Sequence, residues 1–170
     1  ITRRARQRAV NGRFLVGAVH WCVAQGQAPD CLDAYTRPMI EVSDNVATGF
    51  VVDALTGAPD GPVEGADVDA WIEQRRYTEH VLAAAGLLGP QRLFTKTYPT
   101  NSGEEPAQLE KLAWQRLGRN AMNADGAARL MLAIQSGAIE PQATAYMRSL
   151  LRRPTFSGYS ALGGGLDRKS

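Results

Sequence analysis

Apolar positions recur at helical spacing along most of this chain. In RRARQRAVNGRFLVGAVHWCVAQG, residues 3–26, Val10, Phe14, Val16, Val19 and Cys22 fall roughly on one face, and Gly26 is a natural stop. The pattern predicts a helix, followed by a turn at QAPD. CLDAYTRPMIEV, residues 31–42, predicts a short helix that Pro38 should interrupt or begin. DNVATGFVVDAL follows, with Ser43 or Asp44 as N-cap. TGAPDGPVEG is a loop dense in Gly and Pro.

ADVDAWIEQRRYTEHVLAAAGLL, residues 66–88, predicts a helix with Val68, Trp71, Ile72, Val81 and Leu82 inward, ending by Gly86 or Gly89-Pro90. The stretch from Pro90 to Glu105 has turn residues at Pro99, Asn101 and Gly103 and reads as a long irregular connection, of the kind that carries function or stays disordered. PAQLEKLAWQRLG then reads as helix, with Pro106 suited to its first turn. NADGAARLMLAIQSG carries the clearest pattern: Asn123 can cap it, and Ala127, Leu130, Met131 and Ile134 form a stripe. EPQATAYMRSLLRR predicts a last helix with Pro141 in its first turn, and the tail PTFSGYSALGGGLDRKS has room only for short strands. Trp21, Trp71 and Trp114 sit on helical stripes and read as core.

Composition narrows the function classes. The chain has 170 residues, 44% hydrophobic and 21% charged, which suits one globular domain with its own core. A net charge of +2 gives no electrostatic case for nucleic acid, and RRARQR at the start reads as a solvated helix face. No apolar run is long enough to span a membrane, and ITRRARQRAVNG lacks the apolar core of a signal peptide. Cys22 and Cys31 with His20 and His80 lack zinc-ligand spacing, so no metal is expected. The two cysteines fit either a disulfide in an oxidising compartment or two buried thiols. His20 and His80 have no evident partner.

The triplet Ser43-Asp44-Asn45 raises a chemical question. Between the apolar YTRPMI and VATGFVVDAL it is either a plain helix cap or part of a site. MIEVSDNVAT followed by an apolar helix resembles the second signature of class A β-lactamases and penicillin-binding serine hydrolases. That family combines Ser-x-x-Lys, Ser-Asp-Asn and Lys-Thr-Gly or Lys-Ser-Gly. Later segments agree in order: LAAAGLLGPQRLF resembles the helix end before the family's omega-type loop, and NAMNADGAARLMLAIQSG and IEPQATAYMRSLLRR resemble the two helices that follow it. DRKS at the end resembles the start of the third motif, with Lys169 and Ser170 as its first two residues. No serine here has a lysine three positions later, so the nucleophile is not among these residues. The resemblance implies a mainly α chain, the α-helical half of an α/β β-lactamase-like (DD-peptidase) fold, with the sheet largely outside it. Residues 1–170 are expected to be a single domain, an interior segment of a longer one.

The resemblance also implies roles. Ser43 would face the active-site cleft and relay a proton between the nucleophile's lysine and the departing amide nitrogen. Asn45 would point its amide at the substrate and at the same lysine. Asp44 would hold the turn structurally. Lys169 would attract the substrate carboxylate, and Ser170 would hydrogen-bond it. The deacylating base of class A enzymes corresponds to Glu105, with Glu104 competing, although Leu109 stands where the pattern has Asn. The bland reading of both glutamates is an acidic helix start. The function implied is acyl transfer on a β-lactam or related amide or ester, without cofactor. A biosynthetic or esterase homologue with little lactam turnover and a non-catalytic helical interaction domain are the alternatives. The partner is a small β-lactam, peptide or ester, with no nucleic acid. The location would be periplasmic or secreted for a typical member and cytoplasmic for a biosynthetic homologue.

Overall fold

The computed structural model describes residues 3–87, 108–118, 120, 121 and 123–152, with side chains from Asn11 onward. Among these residues all the regular secondary structure is helical. The helices are α1 (Arg3–Ala24), α2 (Asp33–Glu41), α3 (Asn45–Thr56), α4 (Val68–Arg75), α5 (Tyr77–Ala84), α6 (Gln108–Leu117), α7 (Ala124–Ser136) and α8 (Thr144–Leu151), with a 3-10 turn at Pro141–Ala143 before α8. This matches the mainly α expectation.

The first helix is more deeply placed than its pattern predicts. Rather than one apolar face, every residue from Asn11 to Val19 is buried. The reason is that α2, α3, α5 and α8 all pack around α1. Gly17 makes the closest approach possible: a Cβ there would lie 2.7 Å from Thr78 Oγ1 and 3.2 Å from Leu55 Cδ1. Phe14, Leu15, Val16, Ala18 and Val19 join Met39, Ile40, Val51, Val52, Leu55, Leu82, Leu130, Ile134, Met147 and Leu150 in one core. Burying each large apolar side chain contributes about 1.5–3 kcal/mol relative to leaving it in water.

Polar groups inside this core have specific partners. Asn11 Nδ2 donates to the Met39 carbonyl at 2.8 Å. Arg13, also buried, donates from Nη1 to the Ala121 carbonyl at 3.3 Å. Burial lowers the Arg13 pKa to about 10, against the opposing charge of Glu79, so the guanidinium stays protonated at neutral pH.

Three further expectations are corrected, and one that the sequence left open is decided. Pro38 neither starts nor interrupts α2 but lies inside it. An interior proline lacks a nitrogen donor and its ring crowds the carbonyl four residues back, while the Pro38 carbonyl accepts from Val42 N at 3.2 Å and Asp44 N at 3.1 Å. Residues 66–88 do not form one continuous helix. The chain bends at Arg76 (φ −83°, ψ 7°), separating α4 from α5. The thiols are not free: Cys22 and Cys31 form a disulfide, with Cα atoms 5.9 Å apart, that ties the end of α1 to the start of α2. Met131 is partly exposed and so only grazes the core.

A satellite cluster of Ala58, Trp71, Leu109 and Ala113 seats α6 against α4 and the 57–66 loop. Backbone N–H groups at the start of α6 find partners in that loop. Leu109 N donates to the Gly61 carbonyl at 3.3 Å, and Glu110 N to Asp60 Oδ1 at 3.3 Å. The cluster is tied to α3 through Arg75. Its guanidinium is fully buried, 2.7 Å from Glu110 Oε1, 3.3 Å from Asp53 Oδ1 and 4.7 Å from the centre of the Trp71 ring. Removing one partner of such a pair strands a charge in low dielectric. Glu110→Leu should therefore destabilise the fold by about 3 kcal/mol or more, read from urea denaturation. A loss under about 1 kcal/mol would show that Asp53 alone suffices for Arg75.

Tyr146 joins α8 to α2: its hydroxyl lies 2.6 Å from Thr36 Oγ1 and donates to Asp33 Oδ1 at 3.0 Å. Burial holds the phenol pKa well above its ordinary value near 10, assisted by the Asp33 carboxylate. The folded protein thus keeps a proton that the unfolded chain releases. That stability is fully present below about pH 10 and declines as pH rises beyond it. Tyr146→Phe should flatten the alkaline fall in stability while costing about 1 kcal/mol at neutral pH. Thermal melts from pH 7 to 11 check this, and a parallel decline in wild type and variant would contradict it.

Candidate active site

The Ser43 turn is assembled by two helix ends. At Ser43 the chain enters the left-handed region, φ 59°, where it is the sole non-glycine residue among those described. For a residue with a Cβ this conformation costs on the order of 1–2 kcal/mol. Helix capping falls to Asp44, whose Oδ1 accepts from Ala47 N at 2.9 Å. The Asp44 carbonyl also accepts from Thr48 N at 3.1 Å and from Thr48 Oγ1 at 2.7 Å. Ser43 is therefore not the cap. It is half-buried, and no hydrogen-bond partner of its hydroxyl is found among the described residues. Asn45 is half-buried at the first position of α3.

Two braces fix this turn relative to the core. The disulfide holds the chain just before α2, and Asn11 grips the Met39 carbonyl near the other end of that helix. Arg37 stiffens the exposed side of α2 by pairing with Asp33 at 2.9 Å and Glu41 at 3.1 Å. Beside the turn, Val42 and Val46 are exposed, and the exposed rings of Tyr35 and Phe50 stack at 5.0 Å. Sequence reasoning missed Asn11 as a positioning residue. Its signal was an amide between Val10 and Phe14, on the stretch whose apolar residues predicted an inward face.

Of the candidate residues, the structure brings Ser43, Asp44 and Asn45 together on one turn. Glu104, Glu105, Lys169 and Ser170 lie outside the described residues. The histidines do have partners, contrary to expectation. His20 Nδ1 is 2.6 Å from Glu140 Oε1, and His80 Nε2 is 3.2 Å from Glu73 Oε1. Neither joins the Ser43 turn. His20 follows Asn11 by about 13 Å along the α1 axis, and its neighbour is the Tyr77 ring at 6.4 Å. No group of three or more potential metal-ligating side chains occurs among the described residues, and none of their helices is long and apolar enough to cross a membrane.

The sequence profile of the beta-lactamase enzyme family matches residues 22–169, a span that contains the Ser43 turn. The chain belongs to this family. Its β-lactamase-like serine hydrolase character fits the helical architecture, which is consistent with the all-α portion of that fold. Golvesin of Dictyostelium discoideum is 32% identical over 156 residues, covering 90% of this chain and 27% of golvesin. The chain thus spans about a quarter of that relative's length. No solved structure matches it significantly.

The strained backbone gives a test of what holds Ser43 in place. If the left-handed turn is imposed by its surroundings, Ser43→Gly should raise stability by about 0.5–1 kcal/mol, because glycine adopts this conformation without steric cost. Ser43→Val should lower it. Urea midpoints of the two variants check the prediction, and a Gly variant no more stable than Val would contradict it.

Proposed function

We propose that this chain carries the Ser-Asp-Asn part of an acyl-transfer site acting on a β-lactam or related amide or ester. The observation that carries this reading is the division of labour at the turn. Asp44 does the capping, while Ser43 occupies a costly conformation that no structural hydrogen bond of its hydroxyl explains. Strain kept at a family motif is a common mark of function.

In the proposed mechanism a serine attacks the substrate carbonyl, and the Ser43 hydroxyl passes a proton toward the departing nitrogen. The side-chain amide of Asn45 orients the substrate. Lys169 supplies positive charge for the substrate carboxylate, and Ser170 donates a hydrogen bond to it. The nucleophile and the oxyanion hole would come from a longer polypeptide in which residues 1–170 form an interior segment of one β-lactamase-like domain. The length of golvesin supports such a setting. The Cys22–Cys31 disulfide supports an oxidising compartment.

Glu105 is the weak point of fast lactam turnover, because Leu109 replaces the amide of the pattern and Glu104 competes for the role. Acylation followed by slow deacylation is the behaviour that fits. The exposed Tyr35–Phe50 pair with Val42 and Val46 favours a second reading, a helical interaction domain without catalysis.

Burst and steady-state kinetics of the full-length protein with a chromogenic cephalosporin and an activated ester separate these readings. Acylation should be measurable and should fall by about 10²–10⁴-fold in Ser43→Ala, whereas Glu105→Gln should change steady-state turnover little. Fast hydrolysis that collapses in Glu105→Gln would make the protein an ordinary class A β-lactamase. Absence of any acyl-enzyme by mass spectrometry would favour the interaction domain.

A further inference from the structure

Helices α7 and α8 enclose a half-open groove of about 530 Å³. This volume falls within the roughly 300–1,000 Å³ of small-molecule sites. Met131, Ile134, Ala145 and Leu151 give it an apolar lining, and Arg148 and Arg152 are its charged residues, with no carboxylate among the lining groups. Elsewhere in the described structure Arg37, Arg75, Arg76, Arg116 and Arg129 each form an ion pair with a carboxylate, and Arg13 donates to the Ala121 carbonyl. Arg148 and Arg152 have no carboxylate partner among the described residues.

The geometry suits a single anionic head. Arg148 and Arg152 are four residues apart at the end of α8, hence neighbours on one helix face. Arg148 Nη2 donates to the Gln135 carbonyl in the last turn of α7, which orients the guanidinium and leaves its other N–H groups free to bind. The Ser149 hydroxyl is committed to the Tyr146 carbonyl at 2.7 Å. The donors available to a ligand in this groove are therefore the two guanidiniums, whose planar forks match an oxyanion, and the side-chain amide of Gln135.

We propose that the α7–α8 groove binds an amphipathic oxyanion of medium chain length, its head held by Arg148 and Arg152 and its hydrocarbon tail lying on Met131, Ile134 and Leu151. Neither half of the site suffices alone. The two exposed cations bind a hydrated anion weakly in water, and the apolar lining is too open to retain a neutral chain firmly. This site is separate from the Ser43 turn and independent of the acyl-transfer reading.

The test titrates the full chain with sodium decanoate, decanol and inorganic phosphate, followed by calorimetry and by the methyl NMR signals of Met131 and Ile134. Decanoate below its micelle concentration should bind saturably and shift both methyl signals. Decanol and phosphate should each bind more weakly. The double variant Arg148→Gln/Arg152→Gln should lose about tenfold or more in decanoate affinity, as expected for two charge-assisted hydrogen bonds. Arg129→Gln, whose guanidinium is paired with Asp125 outside the groove, should bind as wild type. Unsaturable decanoate binding, decanol or phosphate binding as tightly as decanoate, or an unweakened double variant overturns the proposal. The ligand comparison on wild type decides the matter even if the double variant fails to fold.

Discussion

The structure depends on the burial of one helix from all sides. Between Asn11 and Val19, α1 has no solvent face, so α2, α3, α5 and α8 are all positioned by packing on it. A helix in that place must satisfy its polar side chains internally, because water cannot reach them. Asn11 does so by gripping the Met39 carbonyl, and Arg13 does so in part, its Nη1 reaching the Ala121 carbonyl while its buried Nη2 has no hydrogen-bond partner among the described residues. These bonds carry information as well as stability: an apolar helix can rotate or slide among apolar neighbours, whereas a buried amide has one productive register.

The register of α1 reaches the Ser43 turn through α2. The disulfide fixes the entry to α2, Asn11 fixes its exit, and Pro38 directs both Val42 N and Asp44 N to its own carbonyl. The turn is thereby over-determined, and this is the condition under which a non-glycine residue persists at positive φ. Conformational cost at Ser43 is offset by packing and hydrogen bonds several residues away. The same physics decides which side chain caps α3. The Asp44 carboxylate accepts from the Ala47 N–H in the first turn of α3, so the cap is not Ser43.

Charge is used in two ways in this fold. Inside, Arg75 is surrounded by Glu110, Asp53 and the Trp71 ring, so its charge fastens the satellite cluster around α6 to α3. That fastening sets where the chain re-enters the described structure after the segment containing Glu105. At the surface, Arg37, Arg76 and Arg129 neutralise carboxylates three or four residues away along the chain, and such pairs add little to stability. The groove between α7 and α8 departs from this habit, with two cations over an apolar lining.

The sequence by itself determined most of the helices, the loop at TGAPDGPVEG and the resemblance to the family, because periodicity, turn residues and the order of the segments are read along the chain. The Asn123 cap of α7 and the Gly137 stop after it were legible for the same reason. Tertiary structure decided what depends on neighbours distant in the chain. Whether α1 has a wet face follows from how many helices surround it, and the break at Arg76 from two packing directions meeting within one periodic stretch. Whether Cys22 and Cys31 pair depends on α1 and α2 approaching closely enough. Ser43 and Asp44 were equivalent as caps in the sequence. Only the packing of α2 and α3 on α1, with the turn between them, gave Asp44 the Ala47 N–H and left Ser43 in the left-handed conformation.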